Sequence, residues 1–131
     1  MKLIVTSLVI VLFFSSNFQS QVSFSCTYQQ VCFWNENTEE YEDCQGKKEN
    51  SLFKMNADET MFTHTTEEMQ STYYVNSSEY NSINDVYTYR VTSAAGNDYY
   101  YLFDIKNKEI RIVLKQEERT LLLSFTVKAI F

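Results

Sequence analysis

From residue 21 onward, apolar and polar residues alternate with the period of two expected of half-buried β-strands. Val22, Phe24, Cys26 and Tyr28 alternate with Ser23, Ser25 and Thr27. In DVYTYRVTS, residues 85–93, Tyr87, Tyr89 and Val91 fall on one face, with Thr88, Arg90 and Thr92 on the other. In EIRIVLK, residues 109–115, Ile110, Ile112 and Leu114 oppose Arg111 and Lys115. The last run, TLLLSFTVKAIF, alternates Leu121, Leu123, Phe125, Val127, Ala129 and Phe131 with Leu122, Ser124, Thr126 and Lys128. Shorter strands are predicted at 31–35, 40–44, 51–56, 60–65 and 71–76, in keeping with a chain rich in Tyr, Phe, Val, Ile and Thr.

With no proline in the chain, turns are marked by Asn, Asp and two glycines. NENT at 35–38, NAD at 56–58, NSIND at 81–85, AAGN at 94–97 and KNK at 106–108 all read as turns. Thr65 and Glu68 have capping-box spacing, with room for one helical turn near residues 65–70. The predicted fold is all-β: an antiparallel meander closing into a small barrel or sandwich.

Charge argues for a register in the hairpin over residues 98–115. A two-residue loop at Asn107-Lys108 sets Lys106 opposite Glu109 and Asp104 opposite Arg111. It also stacks Ile105 on Ile110, Phe103 on Ile112, and Tyr101 on Leu114. The competing three-residue loop sets Asp104 against Lys108 and Tyr101 against Arg111, and turns Tyr100 and Leu102 to the face of Ile110 and Ile112.

The N-terminus reads differently. In MKLIVTSLVIVLFFSSNFQS, Lys2 precedes an apolar run from Leu3 to Phe14, and Ser15-Ser16-Asn17 leads to small Ser20. A bilayer span needs roughly 20 apolar residues, so this run reads as a secretory signal peptide over 1–20, with cleavage between Ser20 and Gln21. Residues 21–131, about 110 residues, are then one secreted or periplasmic domain.

Secretion changes the meaning of Cys26, Cys32 and Cys44. Two of them are expected to pair. Cys32 and Cys44 bracket the turn NENT and are the expected disulfide; Cys26–Cys44 is the next choice. The chain carries 17 acidic against 11 basic residues, a formal net charge of −6. No Lys/Arg stripe exists to neutralise phosphates, so a nucleic-acid partner is not expected.

The progression DETMFTHTT, STYYV, GNDYYYLFD resembles small secreted proteins of Bacteroidota-type bacteria, a resemblance that brings no assigned activity. The meander also resembles a calycin, or lipocalin-type, barrel, which implies an interior able to hold an apolar ligand. Trp34, the sole tryptophan, lacks the Gly-x-Trp context of lipocalins.

Candidate chemistry is sparse. His64, the only histidine, lies on TMFTHTT, on the face of Phe62 and Thr66, with Glu67 and Glu68 close behind. A hydrolase needs a nucleophile and an orienting acid beside it, and zinc needs further His or Cys ligands at defined spacing; no such motif is present. A structural or surface histidine is the expectation. The acidic hairpin NENTEEYEDC, residues 35–44, offers oxygen ligands without a calcium-loop pattern and reads as a solvated turn. Asn76-Ser77-Ser78 is a glycosylation sequon, with meaning only in a eukaryote. Tyr73-Tyr74, Tyr87/Tyr89 and Tyr99-Tyr100-Tyr101 pack a pleated sheet or line a cavity for an apolar small molecule or a protein partner. The terminal alternation ending in Phe131 resembles the last strand of outer-membrane barrels. The reading is a non-catalytic binding module without cofactor or metal; the alternatives are a small outer-membrane barrel and a small secreted hydrolase using His64. Mass spectrometry of secreted material is expected to find Gln21 as the first residue. An intact Met1, or a lipid on Cys26, overturns the leader assignment.

Overall fold

The computed structural model describes residues 21–131; the expected leader, residues 1–20, lies outside them. Eight antiparallel strands follow one another as hairpins: β1 (Val22–Asn35), β2 (Glu40–Met55), β3 (Met61–Thr65), β4 (Gln70–Asn81), β5 (Val86–Ser93), β6 (Asp98–Asp104), β7 (Glu109–Gln116) and β8 (Arg119–Ile130). β8 returns to pair with β1, closing the barrel. Ser23 and Phe131 seal the seam by exchanging backbone hydrogen bonds of 2.7 and 2.9 Å. The all-β barrel is therefore the observed member of the predicted pair of architectures.

Alternation decides what faces inward. Phe53, Phe62, Tyr101, Phe103 and Phe125 are buried within the barrel, with Phe24, Val91, Ile110, Ile112 and Val127 around them. Eight strands leave an interior just wide enough for side chains to fill. The Phe53 ring lies 5.2 Å from Phe125, 5.9 Å from Phe103 and 6.4 Å from Phe62. Phe62 in turn meets Tyr101 at 4.9 Å and Phe103 at 5.5 Å. These edge-on and tilted arrangements suit the aromatic quadrupole. The deep calyx implied by the lipocalin resemblance is thus occupied by the protein's own rings.

Charged residues occupy the outside. Lys54, Arg90 and Lys128 are exposed. An outer-membrane barrel requires an apolar band on its outer face and commonly has a polar lumen. Here the interior is aromatic, and Lys54, Arg90 and Lys128 interrupt an outer face that also exposes Tyr74, Tyr100 and Val113.

Several strands are longer than their sequence signals. β1 fuses the runs at 22–28 and 31–35, because register shifts between Cys26 and Tyr28, and between Val31 and Phe33, let one strand bend without breaking. β2 likewise runs through QGKKEN, residues 45–50, where alternation is absent. β3 pairs only with residues 52–55 of β2, so residues 40–51 are paired on the β1 side alone. Such an edge carries polar residues on both faces, and its charges discourage pairing with another chain. Gly46 serves a packing need there: a Cβ would fall on the Tyr28 ring. No helical turn forms at 65–70. Thr66, rather than Thr65, accepts hydrogen bonds from the backbone N–H groups of Glu68 and Met69, at 3.3 and 3.2 Å.

The β6–β7 hairpin corrects both expected registers. Asp104 pairs with Glu109, Phe103 with Ile110, and Tyr101 with Ile112, around a four-residue loop at 105–108. Lys108 takes a left-handed φ of 54° and donates its N–H to the Ile105 carbonyl at 3.3 Å, a turn-based loop of the commoner longer kind. The shift from the two-residue loop is two positions, so each side chain keeps its expected face while its partner changes. Asp104 still finds Arg111, but diagonally, at 3.3 Å. The same guanidinium stands 3.9 Å from Glu109, offsetting the like-charge pair that this register creates. Asp104 is almost fully buried and accepts hydrogen bonds from the Asn107 backbone N–H at 3.1 Å and from Nδ2 at 2.9 Å. Burial raises its pKa, but the Asn107 hydrogen bonds and Arg111 outweigh that, and the carboxyl is held below its ordinary value.

At the β7–β8 turn, Gln116 pairs with Arg119, leaving Glu117 and Glu118 as a two-residue loop with φ of 51° and 65°. Two left-handed residues define the I′ turn, which favours Asn-Gly, and L-residues with larger side chains are disfavoured there. Replacing both (Glu117→Asn with Glu118→Gly) is expected to stabilise the protein by about 1–2 kcal/mol. The check is a raised urea midpoint at an unchanged slope. A lowered midpoint means the turn is not of this type.

Candidate functional site

The aromatic rings close the middle of the barrel and leave a cavity at each end. One cavity lies where the β3–β4, β5–β6 and β7–β8 turns gather, and has a volume of about 350 Å³. His64, Tyr73, Tyr99 and Tyr101 line one part of it, and Leu114, Leu123 and Phe125 another. Alternation puts these side chains inward: His64 follows Phe62 on β3, Tyr73 pairs with Phe62 across to β4, and Tyr99 precedes Tyr101 by two on β6. Tyr73 stacks on Phe62 at 5.2 Å and meets Tyr101 at 5.0 Å, while Tyr99 meets Tyr73 at 6.0 Å. Burial, together with Tyr73 and Tyr99 beside it, pushes the Tyr101 phenol well above its ordinary value. These three tyrosines form an aromatic corner that presents hydroxyls, in a cavity that Glu49 and Glu68 also line.

His64 is structural in its surroundings. Its ring lies nearly parallel to Phe53, 4.0 Å away, and edge-on to Phe125 at 4.9 Å. Burial lowers its pKa from 6.5 to about 4, against the opposing pull of Glu49, so the imidazole is neutral at pH 7. Ser71 stands opposite His64 in register, and both share the cavity with Glu49. These are the residue types of a serine hydrolase, but His64 Nε2 is buried without a hydrogen-bond partner. Among the described residues, no group of three or more His, Cys, Asp or Glu is gathered as a metal site.

The other candidates resolve locally. Cys32 and Cys44 are joined, and Cys26 is a buried free thiol whose pKa burial raises to about 11; the Cys26–Cys44 alternative is not the one formed. In the acidic hairpin, Asn35 Oδ1 accepts the Asn37 and Thr38 N–H groups, and its Nδ2 donates to Glu42 at 2.6 Å. That hairpin is a self-capped turn. Asn76 is exposed and donates to Thr92 Oγ1 at 2.8 Å. A larger groove of about 570 Å³ runs between residues 48–50 and 66–68, walled by the polar edge of β2, the Thr66 turn, and Thr27 and Tyr28 of β1.

The sequence placed His64 on the face of Phe62 and Thr66 and left the tyrosines between sheet packing and a cavity wall; that barrel closure brings β3, β4 and β6 together at one mouth was not legible in it. Comparisons with protein-family models, curated proteins and solved structures find no match to this chain.

Because the folded His64 titrates near 4 and an unfolded one near 6.5, the unfolded chain alone takes up the proton between those values. Stability is complete above pH 6.5 and falls as pH drops through this window. Moving from pH 7 to pH 5 is expected to cost about 2 kcal/mol through His64. Urea denaturation of His64→Phe should lack that loss; an identical pH dependence in the variant means the imidazole is not buried neutral.

Proposed function

We propose that this chain is a secreted or periplasmic, non-catalytic barrel that binds a small apolar molecule with a flat ring in the mouth beside His64. The observation that carries the reading is the convergence of Tyr73, Tyr99 and Tyr101 with Leu114 and Leu123 on one cavity of about 350 Å³. Ligand cavities favour barrel mouths and commonly begin near 300 Å³, with apolar and aromatic walls and few polar groups. Tyrosine suits such a wall because its ring stacks and its hydroxyl orients a ligand's polar atom. The Cys32–Cys44 disulfide supports an oxidising compartment. The resemblance to small secreted proteins of Bacteroidota-type bacteria agrees with that placement.

Calorimetric titration with naphthol, a neutral ring of suitable size, tests the reading. Saturable one-to-one binding is expected, weakened about tenfold by Tyr99→Ala, the order of one lost aromatic contact. No binding by the folded protein, or binding indifferent to Tyr99, defeats it.

A further inference from the structure

The opposite mouth has a different balance of groups: the His64 mouth holds an imidazole with Glu49 and Glu68, whereas this one holds two carboxylates and no histidine. It lies where the β2–β3, β4–β5 and β6–β7 turns gather, and holds a separate cavity of about 330 Å³. Its apolar part includes Phe24, Met55 and Phe103, all buried. Tyr87 and Tyr89 form an aromatic wall, their rings parallel and 6.2 Å apart, with Phe103 edge-on to Tyr89 at 5.3 Å. Two carboxylates, Glu59 and Asp85, complete the lining, and no Lys, Arg or His is present among the lining residues.

Each carboxylate is held by a tyrosine. The Tyr89 hydroxyl donates to Glu59 Oε1 at 3.0 Å, and the Tyr80 hydroxyl donates to Asp85 Oδ1 at 2.8 Å. Neither carboxylate takes part in a salt bridge among the described residues, where Lys47 pairs with Glu49 and Arg111 with Asp104 and Glu109. The second oxygens, Glu59 Oε2 and Asp85 Oδ2, accept no side-chain hydrogen bond there. Glu59 is exposed at its turn and Asp85 half-buried, so both are hydrated, but no cation among the described residues pairs with either beside this apolar, aromatic cavity. A neutral apolar ligand leaves them unpaired, and an anion is repelled. A cation with an apolar body meets all three features: charge to the carboxylates, ammonium to the ring faces, and hydrocarbon to the buried wall.

We propose that this second mouth binds a hydrophobic organic ammonium ion, with Glu59 and Asp85 as its counter-charges and Tyr87 and Tyr89 as its aromatic wall. The site is independent of the one beside His64, because the packed rings of Phe53, Phe62 and Phe103 separate the two ends.

The test compares phenylbutylammonium, phenylbutanol and phenylbutyrate by calorimetry on the same protein. The ammonium is expected to bind at least about tenfold tighter than the alcohol, in line with a cation–π contact reinforced by charge, and tighter still than the carboxylate. Added salt should weaken the ammonium and leave the alcohol unchanged. The double change Glu59→Gln with Asp85→Asn keeps a hydrogen-bond acceptor for each tyrosine and should bring the ammonium down to the affinity of the alcohol. Tyr99→Ala, at the other mouth, should leave ammonium binding unaltered whether or not naphthol binds there. Equal affinity for alcohol and ammonium, an undiminished preference in the double variant, or loss of ammonium binding in Tyr99→Ala each overturns the proposal.

Discussion

The rings of Phe53 and Phe62 are what the rest of the barrel is built around. Eight strands fix an interior that is too narrow for a large ligand and too wide to be left empty. Phe53 meets Phe62, Tyr101, Phe103 and Phe125, and Phe62 reaches on to Tyr73 and Tyr89. β2, β3, β4, β5, β6 and β8 therefore contribute rings to one packed cluster. With these rings in contact across the middle, the cavities beside His64 and beside Glu59 lie at opposite ends of the barrel.

The shortness of β3 shapes those ends. Met61–Thr65 is five residues long and lies between β2 and β4, with 16 and 12. β3 can pair with only part of each, leaving the wall lowest at its own two turns. The turn after β3 borders the His64 cavity, through Thr66, Glu68 and Met69. The turn before it borders the acidic cavity, through Asn56, Ala57 and Glu59. One short strand thus accounts both for the projecting polar edge of β2 and for an opening at each mouth.

What could be read from the sequence was facing, more than pairing. Period-two alternation gave strand identity and the shared faces, including His64 with Phe62, and Tyr101 with Phe103 and Ile105. Register failed where it rested on charge, because a twisted sheet lets Arg111 reach Asp104 diagonally and the ion pair survives a two-residue shift. Turn type was partly hidden for another reason. Among the described residues one left-handed position falls on Gly96 and two on aspartates, Asp43 and Asp85, which tolerate that conformation; the others fall on Glu39, Glu59, Lys108, Glu117 and Glu118, residue types with little turn preference. The acidic mouth was illegible on the same ground: Glu59 and Asp85 belong to separate turns, and closure of the barrel makes them neighbours of one cavity.

Tyrosine connects the packed interior to both mouths in this fold. Tyr89 and Tyr101 are nearly inaccessible as residues, and their rings complete the packed interior. Their hydroxyls lie toward opposite ends: Tyr89 donates to Glu59, and Tyr101 lies in the corner with Tyr73 and Tyr99. A phenylalanine at either place would fill the same volume and leave the core intact, yet would remove the polar atom that each mouth presents. A leucine core would stabilise the barrel equally well by area, but it would give the mouths neither ring faces nor oriented hydroxyls. The aromatic interior therefore does two things at once: it closes the barrel to ligands in the middle, and it gives each end a distinct surface.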